Sequence, residues 1–316
     1  MSSLDSPLTI DARRESESIE RHIRELLDTN SAEGVIIGLS GGIDSAVLAT
    51  LAVRALRTEW VDAYYLYDRH SSKESQTRAK LVADWLKMEL RYHDITPAMQ
   101  KMKIYSPLIM RITTLSGFIN HYLNTKLHRL FHGELPFIST LRKGGSNSNN
   151  KSFFYNLTVG PVEAAFNARH IYRRKFLEQK AQENDWLVLG AANRSESAVG
   201  WFVKDGIDDL PFSPVIGLYK TQVLQLAKYL GLPSEIRNQA PSPDMLKGIT
   251  DESALGLSYD TLDIILHCID RGMSDEQILS SGVSSKDLRL VYMMNNLSAW
   301  KREPESPNPA VVKYSS

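Results

Sequence analysis

The run Ser40-Gly41-Gly42-Ile43-Asp44-Ser45 lies between two apolar stretches, Gly34 to Leu39 and Ala46 to Leu56, and reads as strand, tight turn and helix. Two adjacent glycines let the backbone turn sharply and bring its N–H groups close to an anion. A helix beginning near Asp44 adds the positive end of its dipole. Such a loop holds phosphate. A Walker loop would close with a Lys-Ser/Thr pair, and no lysine follows here, so an ordinary P-loop NTPase is disfavoured. Asp44 stands where that lysine would help. A carboxylate beside phosphates is repulsive unless a divalent cation lies between them, so Asp44 implies Mg2+ held by carboxylate, phosphate oxygens and water.

The hexapeptide and its flanks resemble the pyrophosphate-binding loop of the N-type ATP pyrophosphatases, which include NAD, GMP and asparagine synthetases and tRNA-thiolating enzymes. The resemblance implies cleavage of ATP between the α and β phosphates, adenylation of a substrate oxygen, and attack by a nitrogen or sulfur nucleophile. Further stretches follow one branch in order: Asn167-Ala168-Arg169, Leu189 to Glu196, Gly217 to Val223, and Thr250 to Tyr259. They look like NAD synthetase, as does the basic end Lys301-Arg302-Glu303-Pro304, and the likeness covers roughly residues 15–95 and 160–305. Five ordered motifs are far more specific than one loop.

Each residue can be weighed on its own chemistry. Glu196 follows a strand end, where ligands of open α/β sheets bind, and could give Mg2+ a second carboxylate beside Asp44; a solvated first-turn glutamate is the plainer alternative. Lys220 opens a helix, an unfavourable place for a cation unless an anion compensates. The resemblance assigns it to the ATP phosphates, where with Asp44 it would be catalytic by stabilising charge on the leaving pyrophosphate. The ATP-binding set it implies is Gly38, Ser40, Gly41, Gly42, Asp44, Ser45, Arg69, Arg169, Lys220 and Ser242. Arg69 falls in the region handling adenosine, and Arg169 either orients ATP or caps a core ion pair. For the acceptor it implies Trp201, Phe202, Lys204 and Asp244. Asp251 and Glu252 match an acidic pair that orders on substrate binding, or they simply cap a helix. His70, His93, His170 and His267 are scattered without metal-ligand spacing.

The elements that position these groups follow from periodicity. Strand-length apolar runs at Val35–Leu39, Val61–Tyr67 and Leu90–Ile95 alternate with helical patterns at Ala46–Leu56 and Lys73–Lys87. The alternation resumes with a helix over Pro161–Asn184, a strand Trp186–Leu189, a helix from Ser195 and another over Lys220–Tyr229, stopped by Gly231 and Pro233. The pattern predicts an α/β fold, a doubly wound parallel sheet with helices on both faces, and an entirely helical part from about Ser258. The resemblance implies the adenine nucleotide alpha hydrolase-like version of that fold, spanning 1–316 as a single domain. Residues 96–156 stand out as a family-atypical insertion, with a basic, apolar and aromatic lid-like first part and a glycine, serine and asparagine loop at Gly144 to Lys151.

The chain of 316 residues carries 37 basic and 37 acidic side chains, so no global field recruits nucleic acid. Met1 to Arg14 is polar and no run reaches the length of a membrane span, which leads us to expect a cytoplasmic protein. Cys268, the single cysteine, sits in the apolar pattern Leu262 to Ile269, which suits a buried structural thiol and excludes an internal disulfide. Without a nucleophilic cysteine for glutamine hydrolysis, the nitrogen donor expected is free ammonia or ammonia from a separate subunit.

Taken with the resemblance, these features lead us to expect an ammonia-dependent NAD synthase. It would be an ATP-dependent carbon–nitrogen ligase that adenylates the nicotinate carboxylate of deamido-NAD and amidates it, releasing AMP and pyrophosphate. The family is homodimeric, which implies a dimer here. The likeness fails at three places. After Gly200-Trp201-Phe202 the family carries Lys-Tyr-Gly-Asp-Gly, whereas this chain reads Lys204-Asp205-Gly206-Ile207-Asp208-Asp209. Ala191 replaces a common threonine, and 96–156 is longer than its counterpart. The departures favour, as an alternative, a divergent ligase that adenylates and amidates a different carboxylate.

Overall fold

A computed structural model describes residues 8–113, 128, 133–142, 155–240 and 249–303. Among them four parallel strands form one sheet in the order β3-β2-β1-β4, with β1 Val35–Gly38, β2 Val61–Tyr67, β3 Leu90–Asp94 and β4 Leu187–Leu189. Val35 pairs with Val61 on one side and Leu187 on the other, and Ala63 pairs with Leu90. This is the fold class expected from the sequence, with strand ends that differ by a residue at most from the apolar runs. The chain steps from β1 outward through β2 to β3 and then crosses to β4. The order in which the chain visits the parallel strands therefore reverses between β1 and β4, which is where such folds open a crevice.

Side chains alternate across the sheet as strand geometry requires. Val35, Ile37, Ala63 and Tyr65 face α1 (Ala12–Asn30), α2 (Ile43–Leu56), α3 (Lys73–Leu86) and the helix Lys220–Tyr229. Ile36, Tyr64 and Leu66 face the long helix Val159–Gln182 and the helix Thr96–Lys101. Helix α2 is buried continuously from Ser45 to Ala52, which its apolar sequence requires, because sheet and helices enclose it. Helix α1 was not anticipated from the sequence. Ser16, Ile19, Ile23 and Leu27 form its buried stripe at helical spacing, and the Asp11 carboxylate caps it by accepting from the Arg14 N–H at 3.1 Å.

The residues from Asp251 to Arg302 are helical, as the pattern from Ser258 predicts, and build a second apolar cluster around Leu262, Ile265, Leu266, Val291 and Met294. Polar side chains fasten it to the sheet half. The Ser195 hydroxyl donates a short hydrogen bond to Asp263 and accepts from the Lys220 N–H at 2.8 Å, while the other Asp263 oxygen accepts from the Thr221 N–H at 2.8 Å. Asp263 thus caps the Lys220 helix from a different part of the chain. Arg302 donates to the carbonyls of Ser197, Ala198 and Asn295.

Gly200 ends the helix Arg194–Val199 at φ +75°, and a Cβ there would stand 2.2 Å from the Ser298 Cβ. Gly200→Ala is expected to cost roughly 2–3 kcal/mol through backbone strain and that collision. An unchanged urea midpoint for the variant would contradict this packing.

Candidate active site

The strand, tight turn and helix expected around Ser40–Ser45 form as the sequence suggests. Gly41 adopts φ +83°, and a Cβ on it would lie 2.3 Å from the Ser75 carbonyl oxygen, so only glycine fits against α3. The two loop serines brace each other. The Ser45 hydroxyl donates to the Gly42 carbonyl at 3.0 Å, lies 3.1 Å from the Ser40 hydroxyl, and accepts from the Ser40 N–H at 3.3 Å. Gly42 caps α2 without any side-chain bond, which leaves the first-turn N–H groups of a 14-residue helix facing the cavity.

Across the crevice from this loop, Lys220 is 2% exposed and is held between two carboxylates, with Nζ 2.5 Å from Asp44 Oδ2 and 3.2 Å from Glu196 Oε1. Asn193 completes the arrangement: its Nδ2 donates to Asp44 Oδ1 at 3.0 Å and its Oδ1 accepts from the Glu196 N–H at 3.0 Å. Asp251 lies close by, reached by the Tyr259 hydroxyl at 3.2 Å and by Trp201. Burial by itself would push the Lys220 ammonium down, but Asp44, Glu196 and Asp251 outweigh it and hold it above its ordinary value. Burial pushes the Glu196 and Asp251 carboxyls up, with Lys220 opposing in both cases. One ammonium faces three carboxyl groups, two of which burial biases toward the protonated form. Asp44 and Glu196 are the pair with the hard oxygen donors that could hold Mg2+ beside phosphate oxygens, since that ion commonly takes only one or two carboxylates from protein. No cluster of three or more metal-ligating side chains occurs among the described residues.

These groups border a cavity of about 400 Å3. One part is lined by Ser40, Gly42, Asp44, Ser45, Glu196 and Lys220, together with Gly38 and Arg78. Another part contains Trp201, Phe202, Phe137, Glu163, His170 and Lys301. The sequence-based set therefore divides. Gly38, Ser40, Gly42, Asp44, Ser45, Glu196, Lys220, Trp201 and Phe202 come together, with Gly41 turning the loop.

Three basic residues lie elsewhere. Arg169 is buried in an ion pair with Asp68 at 2.5 Å, also bonded by Tyr105, which fits the second of its two readings. Burial opposes ionisation of Asp68, but Arg169 overcomes it and holds the carboxyl below its ordinary value. Arg69 is exposed, its guanidinium stacked 3.6 Å over the Tyr105 ring. Lys204 does not line the cavity. Its Nζ donates to the backbone carbonyls of Lys301 at 3.2 Å and Glu303 at 2.5 Å. Ser242 and Asp244 lie outside the described residues.

Sequence reasoning overlooked several members. Arg78 on α3 donates to the Gly41 carbonyl at 3.3 Å and reaches the cavity beside the phosphate loop. Its place in α3, one turn after Ser75, offered no visible signal. Asn193 sat inside a recognised motif and carried none by itself. Lys301, noted only as part of a basic end, turns back to donate to the carbonyls of Gly200 at 2.8 Å and Phe202 at 2.5 Å. Burial pushes its amine down to about 8, against the pull of Glu163, Asp208 and Asp209. Lys204 and Lys301 thus tie two chain segments together, Lys204 through the Lys301 and Glu303 carbonyls and Lys301 through those of Gly200 and Phe202.

The family model for NAD synthase matches residues 15–110 and 153–305. The chain belongs to the NAD synthase family. Membership carries the general class that the loop implies, an ATP-dependent ligase. The NH(3)-dependent NAD(+) synthetase of Coprothermobacter proteolyticus is 33% identical over 275 residues, covering 84% of this chain and 88% of that protein. That of Thermotoga maritima is 34% identical over 262 residues, covering 82% and 89%. Among solved structures, the NMN synthetase of Francisella tularensis superposes with a TM-score of 0.67 at 25% identity, covering 95% of this chain and 100% of that one. The NH3-dependent NAD synthetase of Campylobacter jejuni superposes at 0.63 and 21%, a likeness of fold, covering 93% and 97%. No helix among the described residues is long and apolar enough to cross a membrane.

The Lys301 amine sets a stability dependence whose sign follows from linkage. Its folded value of about 8 lies below the ordinary 10.5, so between those pH values the unfolded chain binds the extra proton. Its contribution to stability therefore rises with pH across that window. Comparison of urea midpoints for the native chain and Lys301→Met at pH 7.5 and 10 should reveal about 1–2 kcal/mol more stabilisation on raising the pH in the native chain. Equal pH dependence in both proteins would refute the buried amine.

Proposed function

We propose that this chain is an ammonia-dependent NAD synthase acting on deamido-NAD, with ATP as the activating substrate. The observation that carries the reading is the Lys220 ammonium held by Asp44 and Glu196 at the mouth of an uncapped phosphate loop. ATP phosphates fit against the first-turn N–H groups of Ile43 to Ser45, and Lys220 offsets the charge that gathers on the pyrophosphate as it leaves. Asp44 and Glu196 would hold Mg2+, which when bound neutralises phosphate charge and fixes the phosphate oxygens. The acceptor carboxylate attacks the α phosphorus, the α–β bridge bond breaks, and pyrophosphate departs. Ammonia then adds to the acyl carbon of the mixed anhydride and loses a proton, expelling AMP and leaving the amide.

The aromatic and apolar part of the cavity beside this cluster suits a flat ring bearing that carboxylate. Lys301 also lines this cavity and, through the Gly200 and Phe202 carbonyls, fixes the turn that carries Trp201. The same reading includes a homodimer in the cytoplasm, supplied with free ammonia or with ammonia from a separate subunit.

A second acceptor is supported by two observations. The loop Lys204 to Asp209 departs from the family sequence, with Lys204 engaged in backbone bonds, and the NMN synthetase of Francisella tularensis is a structural relative. In this reading the same chemistry amidates the mononucleotide.

Pyrophosphate release should be measured with ATP, Mg2+ and ammonium, with and without deamido-NAD or nicotinate mononucleotide, followed by chromatography of the products. Release that depends on deamido-NAD, with NAD and AMP formed, is the expected outcome. Preference for the mononucleotide selects the second reading, and no release with either acceptor overturns both. Asp44→Asn should lower turnover by at least about 100-fold with an unchanged circular dichroism spectrum, a scale typical of losing transition-state electrostatics. Full activity in that variant would refute the role of Asp44.

A further inference from the structure

The two stretches matched by the family model are separated by residues 111–152, and one described stretch of that gap, 133–142, reaches the active-site cavity. The helix Pro136–Leu141 opens with proline at its first position and buries Phe137, Ile138, Ser139 and Leu141. It is fastened to the helical C-terminal part. The Trp300 indole donates to the Leu141 carbonyl at 3.2 Å, Arg142 donates to the Met293 sulfur at 3.8 Å, and Leu135 covers Gly256.

Phe137 sits with its ring edge-on to the Trp201 indole, centroids 4.8 Å apart and planes at 83°. Trp201 in turn reaches Asp251, whose charge is felt by Lys220. Phe137 and Thr140 therefore border the cavity next to Trp201, and Thr140 keeps its own hydroxyl bonded to the Phe137 carbonyl at 2.7 Å.

We propose that the helix Pro136–Leu141 is the acceptor-specificity element of this chain, with Phe137 and Trp201 forming the apolar corner that receives the flat ring carrying the substrate carboxylate. The inference rests on the ligase reading above. An edge-to-face aromatic pair is a rigid surface, and a flat ring placed against it loses water from both partners while keeping its carboxylate free to point toward Lys220. The helix lies in the part of the chain outside the family match, so the wall it supplies belongs to this chain rather than to the shared ATP machinery. Phe137 acts by binding; it touches substrate without exchanging a proton or a bond.

The test compares the full-length native chain with Phe137→Ala, Phe137→Leu and Thr140→Ala. Steady-state pyrophosphate release is measured while deamido-NAD and ATP are varied separately. Phe137→Ala is expected to raise the acceptor KM about tenfold and Phe137→Leu about threefold, with the ATP KM within about twofold of the native value. Phe137→Leu keeps apolar volume in the core and removes the ring, so it decides the matter even where Phe137→Ala unfolds. Thr140→Ala should shift the acceptor KM by less than about threefold. Unchanged acceptor KM in Phe137→Leu, or equal rises in both KM values, overturns the specificity role and leaves the helix a packing element. Failure of the ligase reading is separately visible, because the native chain would then release no pyrophosphate with either nicotinate nucleotide.

Discussion

A single buried ammonium organises this protein. Lys220 is almost completely withdrawn from water, a costly position for a charge unless partners replace its hydration. Asp44 arrives from the phosphate loop, Glu196 from the helix after β4, and Asp251 from the start of the helical C-terminal part. Each comes from a different stretch, and together they keep Lys220 ionised against the effect of burial. Removing Lys220 from such a cluster leaves buried carboxyl groups without their cation, a loss of about 3–5 kcal/mol. The cluster therefore couples the assembly of the fold to the assembly of the site.

The fold brings these groups together by simple means. β1 and β4 are neighbours although the chain between them crosses the whole sheet, so the turns that follow them face each other across one crevice. The N-terminus of α2 points into it from one side. The Lys220 helix starts on the other, its first N–H groups already satisfied by Ser195 and Asp263. That capping resolves the electrostatic misplacement of a lysine at a helix start: Asp263 answers the dipole, and the side chain remains available for the carboxylates and for phosphate. The C-terminal residues close the far end, where Lys204, Lys301 and Arg302 donate to carbonyls across two segments and hold the Trp201–Phe202 turn.

Much of this was legible in the residues. The alternation of Val35–Leu39, Ala46–Leu56, Val61–Tyr67 and Lys73–Lys87 is enough to define the parallel sheet, because strand and helix periods differ and the apolar runs are clean. Ser40 to Ser45 announced the phosphate loop through its glycines and its aspartate. Helix α1 was hidden because its apolar residues are few, spaced among many charges. Arg69 and Arg169 show the limit of motif matching, since adjacency to a strand end or a helix motif says nothing about which way a guanidinium turns; a buried carboxylate, Asp68, captured Arg169. Lys204 and Lys301 are distant in sequence, and only the folded chain reveals that each donates to carbonyls of the other's segment. Arg78 illustrates the same point, since its approach to Gly41 depends on the packing of α3 against the loop.

The account centres on a carboxylate attacking the α phosphorus of ATP beside Asp44, Glu196 and Lys220. The most direct measurement follows the oxygen. Deamido-NAD labelled with 18O in its nicotinate carboxylate is turned over with ATP, Mg2+ and ammonium, and the AMP is analysed by mass spectrometry. Adenylation of the carboxylate transfers one labelled oxygen to AMP and none to pyrophosphate. AMP free of label, with the amide formed all the same, would contradict the account.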